Sequence, residues 1–386
     1  MRRLLVAVAT VVPLIAANGS ASQSSASAQA AADGLLRSEL SLGGYTTTLS
    51  FPPSLSADDP VHRALLSSSP GGARLRVGTI EANAALRIGS IELARPERGS
   101  SRHELWLKTA GNGWSLEIVQ PESASERPVG ETPLVRKASE RTPRLTMALV
   151  PELGSSARLL LRWGEFEAAG DVVVAAPPRT QRAAENPRPN TTINRSHTED
   201  TSALSRARLL AQRNETAMVL TSGERLSVSF QRSFAQGERA AGGGTPRTRG
   251  LAADGPDFAR LASTPDGAVV MLTEASVPRL RIERPLQFGA TQVAVSNQVP
   301  NSPGSYGLWL KRAGTGWRLV FNHEPDAWGS QHEPKFDAAE IALQHSEGHA
   351  PSRPFAIGLE PTGAERGRLL IIWGPHEWSA DFGVVP

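Results

Sequence analysis

Apolar and polar residues alternate in short runs along most of this chain, with glycine or proline between one run and the next. Such period-two runs predict half-buried β-strands, because successive side chains of a strand point to opposite faces. Amphipathic helical periodicity is nearly absent. The stretch Leu40–Phe51 (LSLGGYTTTLSF) breaks at a Gly-Gly pair, as a tight hairpin requires. In Leu105–Ile118 (LWLKTAGNGWSLEI), a loop over Ala110–Gly113 predicts a second hairpin. Leu105, Leu107 and Thr109 then face Ile118, Leu116 and Trp114 on an apolar side. Trp106, Lys108, Ser115 and Glu117 take the other side, which reads as wet.

The second hairpin occurs twice. Leu105–Leu116 and Leu308–Leu319 are identical at nine of twelve positions. Three further segments recur in the same order. Leu40–Phe51 parallels Leu220–Phe230, and Thr79–Ile88 parallels Leu272–Ile282, each with an acid-Ala pair (Glu81-Ala82, Glu274-Ala275). Arg158–Val174 (RLLLRWGEFEAAGDVVV) parallels Arg368–Val384 (RLLIIWGPHEWSADFGV). The expectation is an all-β protein of two tandem antiparallel β-sandwich-like domains produced by internal duplication. Copy one spans 36–175 and copy two 215–386, with a flexible Pro-, Asn- and Thr-rich linker over 176–214. The Gly-rich stretch 235–257 inside copy two reads as a disordered loop.

Composition sharpens the compartment more than the function. Met1-Arg2-Arg3 followed by the apolar run Leu4–Ala17 has the form of a signal peptide (1–28), with cleavage after Ala21, Ala28 or Ala30. The chain contains no Cys, so no disulfide or lipid-anchored thiol is available, and a secreted or periplasmic location is expected. No later apolar run is long enough for a membrane-spanning helix. Of the 41 basic residues 37 are Arg, yet they are scattered, whereas a phosphate-binding face clusters them; no nucleic-acid partner is expected.

Residues Gly316–Leu343 (GWRLVFNHEPDAWGSQHEPKFDAAEIAL) resemble the signature of a family of secreted bacterial domains, domain of unknown function 2911. The matching features are a Trp-to-Asn strand, the pair Trp328-Gly329 and the pair Phe336-Asp337. The acid-Ala strands and RLLIIWGPHEW (Arg368–Trp378) are similar to other strands of that family. Copy one carries Gln120–Arg144 in place of the Trp-Gly segment. The resemblance implies a β fold and an extracytoplasmic location but no activity, cofactor or catalytic residue.

Candidate chemistry gathers in copy two, which holds five of the eight histidines: His323, His332, His345, His349 and His376. Both His-Glu pairs, His323-Glu324 and His332-Glu333, are followed by Pro, which rules out the helical HExxH zinc pattern. The chain has no Cys nucleophile, no GxSxG elbow and no phosphate-binding P-loop. Trp114 and Trp317 fall on the apolar hairpin face and read as core. Trp106 and Trp309 fall on the opposite face beside Lys108 and Lys311, where a flat ring suits either a stacked cation or a pyranose.

The ranking is therefore a non-catalytic binding or structural module of the cell envelope first, with a glycan or envelope protein as partner and no cofactor. A carbohydrate-binding protein using exposed tryptophans of copy two comes second. A metal-binding protein or enzyme using its histidines comes third. The residues expected to line a ligand site are Trp309, Trp328, His323, His332 and Asp337.

Overall fold

A computed structural model describes residues 34–67, 73–110, 113–121, 128–175, 213–232, 253, 256–270, 272, 277–296, 303–324 and 332–385. The expected leader, most of the linker, most of the 235–257 loop, Glu274 and Trp328 lie outside the described residues.

The protein is all-β: 21 strands form one antiparallel hydrogen-bonded network, with two helices among the described residues. The first half contains β1 (Leu36–Leu42), β2 (Tyr45–Phe51), α1 (Pro60–Leu66), β3 (Arg74–Ala82), β4 (Ala85–Ile88) and β5 (Ile91–Leu93). It continues with β6 (Ser101–Ala110), β7 (Gly113–Val119), β8 (Pro128–Pro151) and β9 (Ser156–Ala175). The order of pairing is β1–β2–β3–β6–β7–β8–β9, with β4 and β5 added at the far end of β9. The start of β8 pairs with β7 and the rest with β9, with register breaks around Thr142. One strand thus carries the chain from the first layer into the second.

The second half repeats this order. It holds β10 (Arg213–Val219), β11 (Arg225–Gln231), α2 (Pro256–Ser263), β12 (Val269–Val270), β13 (Arg279–Arg281), β14 (Leu286–Phe288) and β15 (Thr291–Val293). Then come β16 (Ser305–Ala313), β17 (Gly316–Asn322), β18 (Asp337–Glu347), β19 (Ala356–Gly363), β20 (Arg366–Trp373) and β21 (His376–Val384). Here two strands, β18 and β19, stand where the first half has β8, and β20 with β21 stand where it has β9. Strand β10 begins at Arg213, and α2 begins at Pro256, inside the stretch read as loop.

The hairpins follow the alternation. Gly43 and Gly44 carry φ of 58° and 87° between the paired residues Leu42 and Tyr45, a two-residue turn that side-chain-bearing residues adopt only with strain. In the repeated hairpin, Leu105 pairs with Ile118, Leu107 with Leu116 and Thr109 with Trp114, as the parity predicts. Pairing continues to Ala110 and Gly113, so the connection is tighter than the expected four residues. The side read as wet is largely covered, however. Ser115 and Glu117 are buried, with Glu117 held by Arg74 (2.5 Å) and Lys108 (3.8 Å).

Each half has its own core. One cluster is drawn from Leu36 to Val174 and includes Trp114 and Trp163; the other runs from Met218 to Phe382 and includes Trp317, Trp373 and Trp378. Trp163 and Trp373, which open the Trp-Gly pairs of the last repeated segment, are completely buried. In both halves a short helix covers this tryptophan: His62 of α1 lies 4.5 Å from the Trp163 ring, and Phe258 of α2 lies 5.6 Å from the Trp373 ring. The following Gly164 and Gly374 have positive φ (64° and 58°), and a Cβ on either would collide with that helix side chain.

The halves are joined by more than a linker. Strand β1 pairs with β10 over six residues, from Arg37 opposite Val219 to Leu42 opposite Asn214. Arg225 of β11 reaches Glu39 of β1 (3.2 Å) and Glu215 of β10 (2.6 Å). Val150 and Leu160 of the first half pack on Ala356, Leu370 and Ile372 of the second in a separate buried cluster.

Candidate functional site

The four expected ligand residues that are described, Trp309, His323, His332 and Asp337, do not form one exposed surface. Trp309 is 2% exposed, which corrects its assignment to a wet face. Val277 and Val320 pack on the indole, and the His332 ring meets it edge-on at 5.4 Å. A ring so covered offers no face to a sugar. Trp106 is more open, but the Arg74 guanidinium lies 3.9 Å from its ring and its Nε1–H donates to Glu104 (3.1 Å). The neighbouring lysines turn elsewhere, Lys108 to Glu131 (2.6 Å) and Lys311 to Glu340 (2.5 Å).

Asp337 and His332 do come together. The His332 imidazole and the Asn322 amide Nδ2 lie 2.7 and 2.8 Å from Asp337 Oδ1. Asn322, 1% exposed, also donates to the Glu333 carbonyl (3.1 Å) and accepts from the Glu324 N–H (2.8 Å). This arrangement fastens the 3-10 turn Pro334–Phe336 to the end of β17. The ring of His323, the residue after β17, turns instead to Tyr306 of the main core at 5.2 Å. Burial lowers the His323 pKa by disfavouring the charged ring. Glu81, the acid of the first acid-Ala strand, accepts a hydrogen bond from the Ser100 hydroxyl.

A cleft lies instead where the two halves meet. Its volume is about 310 Å³, and its walls come from β8 and β9 on one side and from residues 348–353 and Ile372 on the other. Beneath it runs a chain of buried ions. Arg162, 4% exposed, donates to Glu167 (2.9 Å), to Glu360 (2.8 Å) and to Glu377 (3.0 Å). The last two belong to the other half. Glu360 accepts a second hydrogen bond from the Thr146 hydroxyl, and Glu167 is paired with Lys137 (2.9 Å).

His349 extends the chain to the cleft wall. Arg353 donates to its Nδ1 (2.8 Å), and a guanidinium has no lone pair to give back, so the ring carries its proton on Nε2. That Nε2–H then donates to Glu377 at 2.6 Å. Burial alone would raise the Glu377 pKa, but the hydrogen bond from His349 and the Arg162 charge overcome it and hold the carboxyl at about 2. Arg162 is likewise held charged, because three carboxylates outweigh its burial. At the mouth, Arg158 contacts Glu152 (3.0 Å), and Val135 stands 77% exposed.

The readings above missed this site, although the sequence carried a signal for it. Arg162 lies in the apolar run LLLRW and Glu360 in AIGLEP, and a charge inside a buried strand requires a partner. Which partner is not visible until the halves are docked.

Residues 287–382 match a family described as Protein of unknown function (DUF2911), a span running from within β14 to near the end of β21. The second half is thus similar to that family, while the resemblance expected for copy one has no such match. No curated protein and no solved structure matches the chain.

Proposed function

We propose that this protein is a non-catalytic binding module of the bacterial cell envelope, secreted or periplasmic, that holds a small amphiphilic anion in the cleft between its halves. The cleft itself carries this reading: a concavity of about 310 Å³ whose mouth sets the exposed Val135 side chain beside cations. Lys137, Arg158 and Arg353 supply positive charge, and Val135, Leu160 and Ile372 supply apolar wall. The buried carboxylates are committed to fixed partners, Glu167 to Arg162 and Lys137 and Glu377 to Arg162 and His349, and the remaining acid of the lining, Asp171, is exposed beside Arg158 (3.8 Å), which favours binding over proton-transfer chemistry. The shared order of elements and the separate cores support a tandem duplication, in which the seam between copies became the ligand site. The N-terminal apolar run and the absence of Cys support the compartment.

Thermal unfolding with hexanoate, phenylacetate and uncharged maltotriose tests the proposal. The two carboxylates should raise the Tm of the wild type, and maltotriose should not. Val135→Asp, an exposed substitution that places a negative charge at the mouth, should abolish the rise. No shift with either acid, or a shift that survives Val135→Asp, overturns the assignment.

A further inference from the structure

A second constellation lies at the edge of the second half, where β18 pairs with β21. His345 pairs with Trp378 and Glu347 with His376, so alternation sets His345, Glu347 and His376 on one side of neighbouring strands. Their ligand atoms all lie within 4.8 Å of one another. His376 Nδ1 is 3.1 Å from His345 Nε2 and 3.2 Å from Glu347 Oε1. The Trp378 indole, 1% exposed, forms the floor, stacked on His345 at 5.4 Å and tilted against His376 at 5.3 Å. Glu347 and His345 are open to solvent, so an ion has a way in.

Protons do not satisfy this arrangement. His376 Nδ1 carries one hydrogen at most, yet it faces two atoms that each have a lone pair. If His345 Nε2–H donates to it, its own lone pair is used and it opposes the carboxylate. If it donates to Glu347, it no longer accepts from His345. A single divalent cation takes all three lone pairs at once. Zinc bonds of about 2.0–2.1 Å in a tetrahedral site set ligand atoms roughly 3.3 Å apart, close to the two observed separations.

We propose that His345, Glu347 and His376 form a three-ligand site for a zinc-class divalent cation, with the fourth position open to solvent. Imidazole nitrogen with one carboxylate oxygen is a donor set that favours zinc over magnesium or calcium, which prefer oxygen alone. The site is distinct from the cleft, because Glu377, the residue after His376, points into the buried ion chain on the opposite side of β21.

The test is titration of the metal-free full chain with Zn2+ alone, by calorimetry and by competition with a chromogenic chelator. One equivalent should bind, and Co2+ in its place should give the visible absorption of a tetrahedral centre. His345→Ala and His376→Ala should each weaken Zn2+ binding by about 100-fold or more, and lose the Co2+ spectrum. Glu347→Gln, at a largely exposed position where folding is not at stake, should weaken binding by about tenfold. Failure of the wild type to bind stoichiometric Zn2+ overturns the site. Unchanged affinity in Glu347→Gln or in either histidine variant does the same.

Discussion

Trp106 and Trp309 occupy the same place in the same repeated phrase, yet they live in different surroundings. Trp106 sits opposite Arg76 on one neighbouring strand and Glu117 on the other. Arg74 covers its ring, and its indole N–H is hydrogen-bonded. Trp309 sits opposite Val320 and against Val277, and its indole nitrogen is buried without a partner among the described residues. Alternation assigned both rings to the outer side of their hairpins. What covers that side depends on residues from other strands, polar in one half and apolar in the other.

The largest expected effect tests this contrast directly. Trp309→Ala should destabilise the protein by about 3–5 kcal/mol in urea unfolding, because it empties a closed apolar site. Trp106→Ala should cost about 1 kcal/mol, mostly the lost cation–π contact. Equal losses would break the comparison.

Exchanging the covers comes next. Val320→Glu gives the second half the residue that the first half has opposite its tryptophan, but with Val269 in the place of Arg74 and with Lys311 already paired with Glu340. It should cost about 3 kcal/mol, the penalty of burying a charge left unpaired. Glu117→Val, the reverse exchange, should change stability by no more than about 1 kcal/mol, since Arg74 remains part-exposed to water. If both exchanges cost alike, the cover does not distinguish the halves.

The ion chain between the halves offers a third and smaller test, in which burial is tolerated because every charge is paired. The Glu377 carboxyl is held at about 2, below its ordinary 4.5. A depressed carboxyl contributes stability that is complete above the unfolded value and is lost as pH falls toward the folded one. Unfolding free energy should therefore fall between about pH 5 and pH 2, and more gently in Glu377→Gln than in the wild type. Parallel pH profiles would show that the carboxyl is not tied to Arg162 and His349.

Much of the fold was legible because strands write themselves locally. Leu105, Leu107, Leu116 and Ile118 are fully buried, as period-two alternation required, and Gly43-Gly44 marks its turn by backbone freedom alone. The helices were missed because each is a single short element of seven or eight residues, too brief for helical periodicity to emerge. The expected site was legible only in part. Asp337 and His332 meet because they flank one short turn, whereas the ring of His323, just past the end of β17, packs on Tyr306.

By itself the sequence determined the all-β class, the repeated hairpin and the inward residues of its strands. These follow from side-chain alternation and turn chemistry, which act over a few residues. Tertiary structure alone decided that β1 pairs with β10, that Trp309 is closed over, and that Arg162 meets Glu360 and Glu377. The same holds for the meeting of His345, Glu347 and His376 across two strands. Partners this distant along the chain are selected by desolvation and complementary charge when the layers dock, and no local pattern encodes that choice.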